Sequence, residues 1–169
     1  MHDWERIAAT EAFFGVLTAD KYRAKELTPM RIAEFYATGE ADIGWVIDTF
    51  RRVFSTTPSD ATALDIGCGV GRLSRAMRAH ASRVIGYDVS DSMLKLARKH
   101  AGDGIDYVTD FPDGPFGWIN SFVVLQHIKP PEGLALLSRA LAGLAPGGFA
   151  SIQVTAWRTA HQLPTDCRN

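Results

Sequence analysis

The sequence contains only two cysteines, Cys68 and Cys167, among its 169 residues. Neither has a second cysteine or a histidine at the spacing of a zinc finger, which excludes a disulfide framework and argues against a zinc site. A chain of this length buries about two thirds of the surface of its unfolded form, so it needs no such cross-links. We therefore predict a protein without a bound metal in a reducing compartment, the cytoplasm.

A large excess of one charge and long apolar runs are also absent. The formal net charge is −1, whereas a general nucleic-acid binder usually carries a basic face. No apolar run approaches the roughly 18 residues of a membrane span, and the first six residues lack the basic start of a signal peptide. These absences predict a soluble chain with neither a nucleic-acid nor a membrane partner.

The first part of the chain is helical in pattern and acidic. The predicted helices cover residues 4–16, residues 29–36 and residues 40–54. Thr28 and Pro29 form a cap and first turn for the second helix, and Gly39 is its predicted stop. A polar connector with Pro58 follows. We therefore predict an N-terminal helical cap over residues 1–57 and a second unit over residues 58–169.

In the second unit, short β-rich runs alternate with helical ones. The predicted strands are residues 61–66, 82–87, 105–108, 118–125 and 149–154. Strands separated by helices of about ten to fifteen residues are typical of right-handed crossovers, which build a parallel sheet covered on both faces. The predicted fold is α/β, a Rossmann-like three-layer sandwich with a mostly parallel sheet. Ligands of such sheets bind at the carboxyl ends of the strands.

Three glycines at alternate positions, Gly67, Gly69 and Gly71, follow the first predicted strand. Glycine permits a positive φ and lets a ligand lie against bare backbone at a helix N-terminus. Asp88 ends the next strand, where a carboxylate can accept hydrogen bonds from both hydroxyls of a ribose. The alternative is purely structural: a tight turn for the glycines and a helix cap for Asp88.

Two residues near these glycines indicate which kind of ribose-containing ligand the bend would bind. A dinucleotide fingerprint needs its third glycine at position 72, which is Arg72 in this chain. Asp65, just before the first glycine, would repel a diphosphate but attract an ammonium group. The pattern therefore favours a ligand with a ribose, an ammonium group and a positive sulfonium over NAD.

Four motifs in this order resemble those of the class I S-adenosylmethionine-dependent methyltransferases. They are LDIGCGVG at residues 64–71, VIGYD at 84–88, SFVVLQHI at 121–128 and LAPGG at 144–148. The resemblance covers about residues 61–157, and the helical leader looks like the cap of bacterial members that act on small molecules. It implies S-adenosyl-L-methionine as the cofactor and a small-molecule acceptor as the partner.

Position by position, the resemblance implies a set of cofactor-binding residues. They are Asp65, Gly67, Cys68, Gly69, Gly71, Asp88, Val89, Asp110, Phe111, Ser121 and Phe122. Asp65 and Gly67 would lie beside the methionine end of the cofactor, and Asp88 would hold the ribose. The segment with Asp110 would meet the adenine, and the segment with Ser121 would pass near the methyl group.

The reaction so implied is direct displacement at the sulfonium methyl, which needs positioning and exclusion of water rather than a triad or a metal. His127 is the predicted catalytic base for an acceptor that carries a proton, with simple packing as the alternative. Cys68 is interpreted as a small turn residue, not a nucleophile. Trp4 and Tyr36 are interpreted as core aromatics, with a pocket wall as the alternative.

Two features depart from the family pattern. Gly117 stands where members carry an acidic residue, and only twelve residues follow Trp157 where members add two further strands. The fifth strand would then be an exposed edge, which predicts reduced stability or a homodimer. The rival to an active methyltransferase is accordingly a truncated or non-catalytic methyltransferase-like protein that binds the cofactor without turnover.

Overall fold

The computed structural model describes residues 3–58 and 60–154. Its helices are α1 (Asp3–Val16), α2 (Pro29–Phe54), α3 (Arg72–Met77), α4 (Asp91–Lys99) and α5 (Pro130–Ala142). Its strands are β1 (Thr62–Ile66), β2 (Arg83–Tyr87), β3 (Ile105–Val108), β4 (Phe116–Ser121) and β5 (Leu144–Ile152). Short 3-10 turns lie at Asp20–Tyr22, Ala24–Glu26 and Leu125–His127. No helix in the two described stretches is long and apolar enough to cross a membrane.

The five strands form one fully parallel sheet in the order β3-β2-β1-β4-β5. Alternate residues of a strand point to opposite faces. Accordingly Ala63 packs with α2 and α3 on one face, whereas Leu64 packs with α5 residue Ala140 on the other. This three-layer arrangement confirms the predicted Rossmann-like α/β fold.

The strand order sets the place of the ligand crevice. The chain moves outward from β1 to β2 and β3, then returns to the other side of β1 for β4 and β5. The strand order reverses between β1 and β4, so the crossover helices diverge there and leave a crevice at the carboxyl ends of these strands.

Helix α2 is continuous through Gly39, so the prediction of a stop at this residue was wrong. A β-carbon at position 39 would collide with the backbone carbonyl of Arg72, at the start of α3. Glycine therefore permits close packing of α2 on α3 rather than ending a helix. Arg72 itself is buried and forms an ion pair with Asp42 of α2 at 2.6 Å.

Helix α2 lies within the predicted cap region but packs on both the N-terminal helix α1 and the sheet. Its first half packs through Phe35 and Tyr36 against Phe13 of α1, in a cluster that reaches α4. Its second half packs through Ile47 and Phe50 on the sheet. The division at residues 57 and 58 stays a prediction, and α2 joins the two groups of helices physically.

Strand β4 ends at Ser121, four residues earlier than the apolar run to Leu125 predicted. The cause is Val123, whose φ of 62° is left-handed and cannot continue a strand. Strand β5 begins at Leu144 instead of residue 149, with a register shift against β4 between Phe116 and Trp118. The predicted start at residue 149 was therefore five residues too late, because β5 continues through Pro146 and Gly147.

Candidate functional site

A cavity of about 310 Å³ lies at the carboxyl ends of β1, β2 and β4. This volume is at the lower end of the range of roughly 300–1000 Å³ found for small-molecule sites. Its walls come from the N-terminal region, from the ends of β1 and β2 with the residues that follow them, from the turn after β4 and from α5. They are Trp4, Gly15, Val16, Ile66, Gly67, Gly69, Tyr87, Asp88, Val89, Met93, Phe122, Val123, Val124, His127, Ile128, Glu132 and Leu136. The cavity occupies the crevice that the strand order predicts.

The bend after β1 presents bare backbone to this cavity. Gly67 and Gly69 both line it and have positive φ values of 69° and 53°. The backbone N–H groups of Gly67 and Cys68 both donate to the Tyr87 carbonyl, at 2.7 and 3.0 Å. A β-carbon at Gly67 would collide with the side chain of Val124. The bend is therefore held by β2, and glycine at position 67 allows Val124 to pack closely against it.

Gly71 and Cys68 belong to the same bend but point away from the cavity. Gly71 has a φ of 79° and begins α3, and a β-carbon there would collide with the Tyr107 hydroxyl. The Cys68 side chain is buried in a cluster with Leu94 and Tyr107. Burial raises the pKa of the Cys68 thiol well above its ordinary value, which removes the thiolate that a nucleophile needs.

Asp88 lines the cavity and contacts the glycine bend directly. One carboxylate oxygen accepts a hydrogen bond from the Gly69 N–H at 2.9 Å, and the other accepts one from the Ser90 N–H, also at 2.9 Å. Burial raises the pKa of Asp88, and these two backbone hydrogen bonds lower it in part. Val89, the next residue, is half exposed on the cavity wall.

Asp65 lies beneath the bend rather than on the cavity wall. Its side chain is buried, and its two carboxylate oxygens accept hydrogen bonds from the Ser74 hydroxyl at 2.6 Å and the Asn120 amide at 2.9 Å. The Ser151 hydroxyl donates to the Asn120 oxygen, which extends this buried network to β5. The structure therefore places Asp65 in a link between α3, β1, β4 and β5.

We expect the Asp65→Asn variant to lose part of the pH dependence of folding stability. Burial raises the pKa of Asp65 to about 6, and the hydrogen bonds from Ser74 and Asn120 offset part of the rise. The folded protein therefore holds this proton more tightly than the unfolded chain. The stabilisation is present below the ordinary pKa of 3.8 and is lost as the pH rises through about 6.

The wild type loses about 3 kcal/mol of folding stability between low and neutral pH. The Asp65→Asn variant does not show this loss, because asparagine does not ionise. Urea unfolding between about pH 4 and about pH 7 measures the difference. The free energy of unfolding of the wild type, relative to the variant, should fall across this range. Parallel pH profiles for the two proteins would contradict the burial of an ionisable Asp65.

Asp110 and Phe111 lie away from this cavity. Phe111 packs edge-to-face against Tyr87 at 5.1 Å and lines a separate groove of about 420 Å³ beside α5. The Arg139 guanidinium lies over the Phe111 ring at 4.7 Å. Asp110 is exposed. The Tyr87 ring thus contacts Phe111 and also lines the cavity.

The residues after β4 do reach the cavity. Phe122 and His127 line it, and the His127 ring packs edge-to-face against Trp4 at 5.1 Å. The Ser121 hydroxyl is buried and makes no hydrogen bond with any residue of the described chain. Trp4 therefore forms part of the cavity wall, contrary to its interpretation as a core residue. Tyr36 is buried in the core, as interpreted, and its hydroxyl donates to the Val70 carbonyl at 3.0 Å.

Several cavity residues had no signal in the sequence. Gly15 and Val16 reach the site through the packing of α1 against α4, and Met93 is one of several apolar residues on α4. Glu132 in the first turn of α5 brings a second carboxylate to the wall. The sequence shows the charge of Glu132, but it does not show that the turn after β4 brings this residue to the cavity.

Comparisons with known proteins agree with this geometry. A family model described as a methyltransferase domain matches residues 40–165. The ubiquinone biosynthesis O-methyltransferase of Idiomarina loihiensis is 31% identical over 150 residues, covering 76% of this chain and 61% of that protein. The protein of the same name from Bordetella bronchiseptica is 32% identical over 126 residues, covering 68% and 48%. The chain thus spans about half to three fifths of these curated relatives.

The fold also matches solved structures. Phosphoethanolamine N-methyltransferase 1 of Haemonchus contortus, solved with phosphoethanolamine and S-adenosylhomocysteine, aligns with a TM-score of 0.65 at 16% identity. The match covers 88% of this chain and 30% of that protein. At this identity the match bears on the fold alone, and it agrees with the sheet order and helix layers described above.

Proposed function

The chain belongs to the class I S-adenosylmethionine-dependent methyltransferases, and on that premise we propose that it transfers a methyl group from S-adenosyl-L-methionine to a small-molecule acceptor. The observation that carries the proposal is the cavity in which the bare backbone of Gly67 and Gly69 meets the Asp88 carboxylate. The names of the two curated relatives support an oxygen atom as the methyl acceptor.

The residues around the cavity fit this cofactor. Each oxygen of Asp88 accepts one backbone hydrogen bond and has a further lone pair for a ribose hydroxyl. Gly67 and Gly69 line the cavity and have no side chains of their own, which supports a close approach of the ligand to the main chain. The unused hydroxyl of Ser121 supports a polar contact at the end of β4, within the part of the chain that the structure describes.

When bound, S-adenosylmethionine supplies a methyl group that its sulfonium already activates for displacement. The protein then has to align the acceptor and exclude water. Trp4, Phe122 and Leu136 give the cavity an apolar wall that serves this purpose. We propose that His127, on the same wall, takes the proton of the acceptor as the new bond to the methyl carbon forms.

The other predicted contacts are retained as proposals with roles adapted to the geometry. Asp65, Cys68 and Gly71 would shape the bend from beneath, and Val89 would lie beside the nucleoside. If Asp110 and Phe111 contact the adenine, the Tyr87 ring must contact the adenine as well. Tyr87 already packs on Phe111 and lines the cavity, which supports such an arrangement.

The alternative function is a methyltransferase-like protein that binds the cofactor without turnover. We also propose a cytoplasmic location, from the cysteine content, and a homodimer formed through β5. The support for the dimer is that β5 is an edge strand among the described residues, since edge strands can pair with another chain.

Calorimetric titration followed by a transfer assay tests the proposal. The wild type should bind S-adenosylmethionine and S-adenosylhomocysteine, and it should pass an isotope-labelled methyl group to at least one member of a panel of phenols, alcohols and amines. A wild type that binds neither compound would contradict the proposal. Binding of both without transfer to any acceptor would favour the non-catalytic alternative.

A further inference from the structure

The turn after β4 contains a strained residue on the wall of the cavity. Val123 has a φ of 62°, in the left-handed region that a β-branched residue rarely adopts. Its neighbours Phe122 and Val124 line the cavity on either side of it. Strained backbone of this kind persists only where the surrounding structure holds it, and it is concentrated at functional sites.

Gln153 supplies the contacts that hold this turn. Its side-chain oxygen accepts a hydrogen bond from the Val123 N–H at 2.8 Å, and its backbone N–H donates to the Ser121 carbonyl at 2.9 Å. Gln153 directly follows β5, which pairs with β4 through Ser121 and Ile152. One residue at the end of β5 therefore fixes the path of the chain as it leaves β4.

The path so fixed determines the contact with the glycine bend. The Val124 side chain lies against Gly67, so close that a β-carbon on Gly67 would collide with it. If φ of Val123 relaxed to a negative value, the chain direction would change, and Val124 and Phe122 would move relative to Gly67. The wall of the cavity facing the methionine end thus depends on the conformation of Val123.

We propose that Gln153 is a positioning residue for the methyltransferase site, which holds Val123 in its left-handed conformation and thereby sets Phe122 and Val124 against the cavity. The inference rests on the proposed function. Gln153 does not line the cavity, so its effect on the cofactor passes through the turn.

Three variants test this role: Gln153→Leu, which removes the acceptor of the Val123 N–H; Gln153→Glu, which keeps an oxygen there; and Gln153→Leu combined with Val123→Gly. Glycine adopts a positive φ without strain and does not need the hydrogen bond to hold it. We expect Gln153→Leu to weaken S-adenosylhomocysteine binding about tenfold and Gln153→Glu to keep it within about threefold. Adding Val123→Gly should restore most of the loss.

Restoration by glycine is the readout that a merely structural role of Gln153 would not give, because independent effects would add. A Gln153→Leu variant that binds like the wild type, or a double variant that binds no better than Gln153→Leu, would overturn the role and leave the proposed function intact. A wild type that does not bind S-adenosylhomocysteine would overturn the proposed function and this role together. Thermal unfolding of each variant confirms that the protein titrated is folded.

Discussion

Replacing Asp88 by alanine should weaken the binding of S-adenosylhomocysteine by roughly 10²- to 10⁴-fold. The reason is that two hydrogen bonds to a charged carboxylate are removed, each contributing about 1.5–3 kcal/mol. The carboxylate lies on the cavity wall beside the Gly69 backbone, so both its oxygens can face a ribose. Isothermal titration calorimetry of the wild type and the variant measures the change.

The variant also loses the acceptor for the N–H groups of Gly69 and Ser90, so its folded fraction has to be established by circular dichroism. Asp106→Ala is a matched control, since Asp106 is an exposed carboxylate paired with Arg83 on β2, outside the cavity. We expect the control to bind like the wild type. A cofactor analogue without ribose hydroxyls should bind Asp88→Ala and the wild type equally. Less than a tenfold loss with the intact ligand would refute the ribose assignment.

His127→Gln should lower kcat by about 10²- to 10⁴-fold with an acceptor that must lose a proton, because general-base catalysis contributes in this range. Glutamine has a similar shape and polarity but does not take up a proton. His127 contacts Trp4 on the cavity wall, and its proposed role is to take up a proton during the transfer rather than to bind the cofactor. The affinity for S-adenosylhomocysteine should therefore stay within about twofold.

Initial rates at saturating S-adenosylmethionine, with the labelled-methyl assay, measure this effect. His80→Gln is the control, because His80 follows α3 and does not line the cavity. It should turn over like the wild type. If His127→Gln did so too, His127 would be a packing residue of the Trp4 contact, and the proton would leave the acceptor by another route.

The sequence predicted the fold because its signals are local. The alternation of strands and helices, the three glycines and the cap at Thr28 each depend on a few neighbouring residues, and all reappear in the structure. Gly39 was misread for the same reason. A glycine looks the same in sequence whether it ends a helix or lets a second helix pack closely, and only the position of Arg72 distinguishes the two.

The candidate site was predictable where a short motif sets both the backbone conformation and the residue that it contacts. Gly67, Gly69 and Asp88 come together as their spacing predicts, because β1 and β2 are adjacent and in register. Asp65 was different. Its neighbours Ser74 and Asn120 are 9 and 55 residues away, and they turn a carboxylate expected near a ligand into a buried structural group.

The cavity wall that contains Trp4 and the residues after β4 was the least predictable part of the site. Trp4 reaches the site from the other end of the described chain, through the packing of α1 on α4. The apolar run from Phe122 to Leu125 predicts a strand, whereas long-range contacts with Gln153 impose a turn at Val123. Both depend on tertiary contacts that no local pattern encodes.

A crystal structure of the protein with S-adenosylhomocysteine tests the central claim most directly. The account predicts both ribose hydroxyls within hydrogen-bonding distance of the Asp88 oxygens, and the amino-acid portion lying along the main chain at Gly67 and Gly69. A ligand seated instead in the groove between Phe111 and Arg139, with Asp88 bonded only to Gly69 and Ser90, would contradict it.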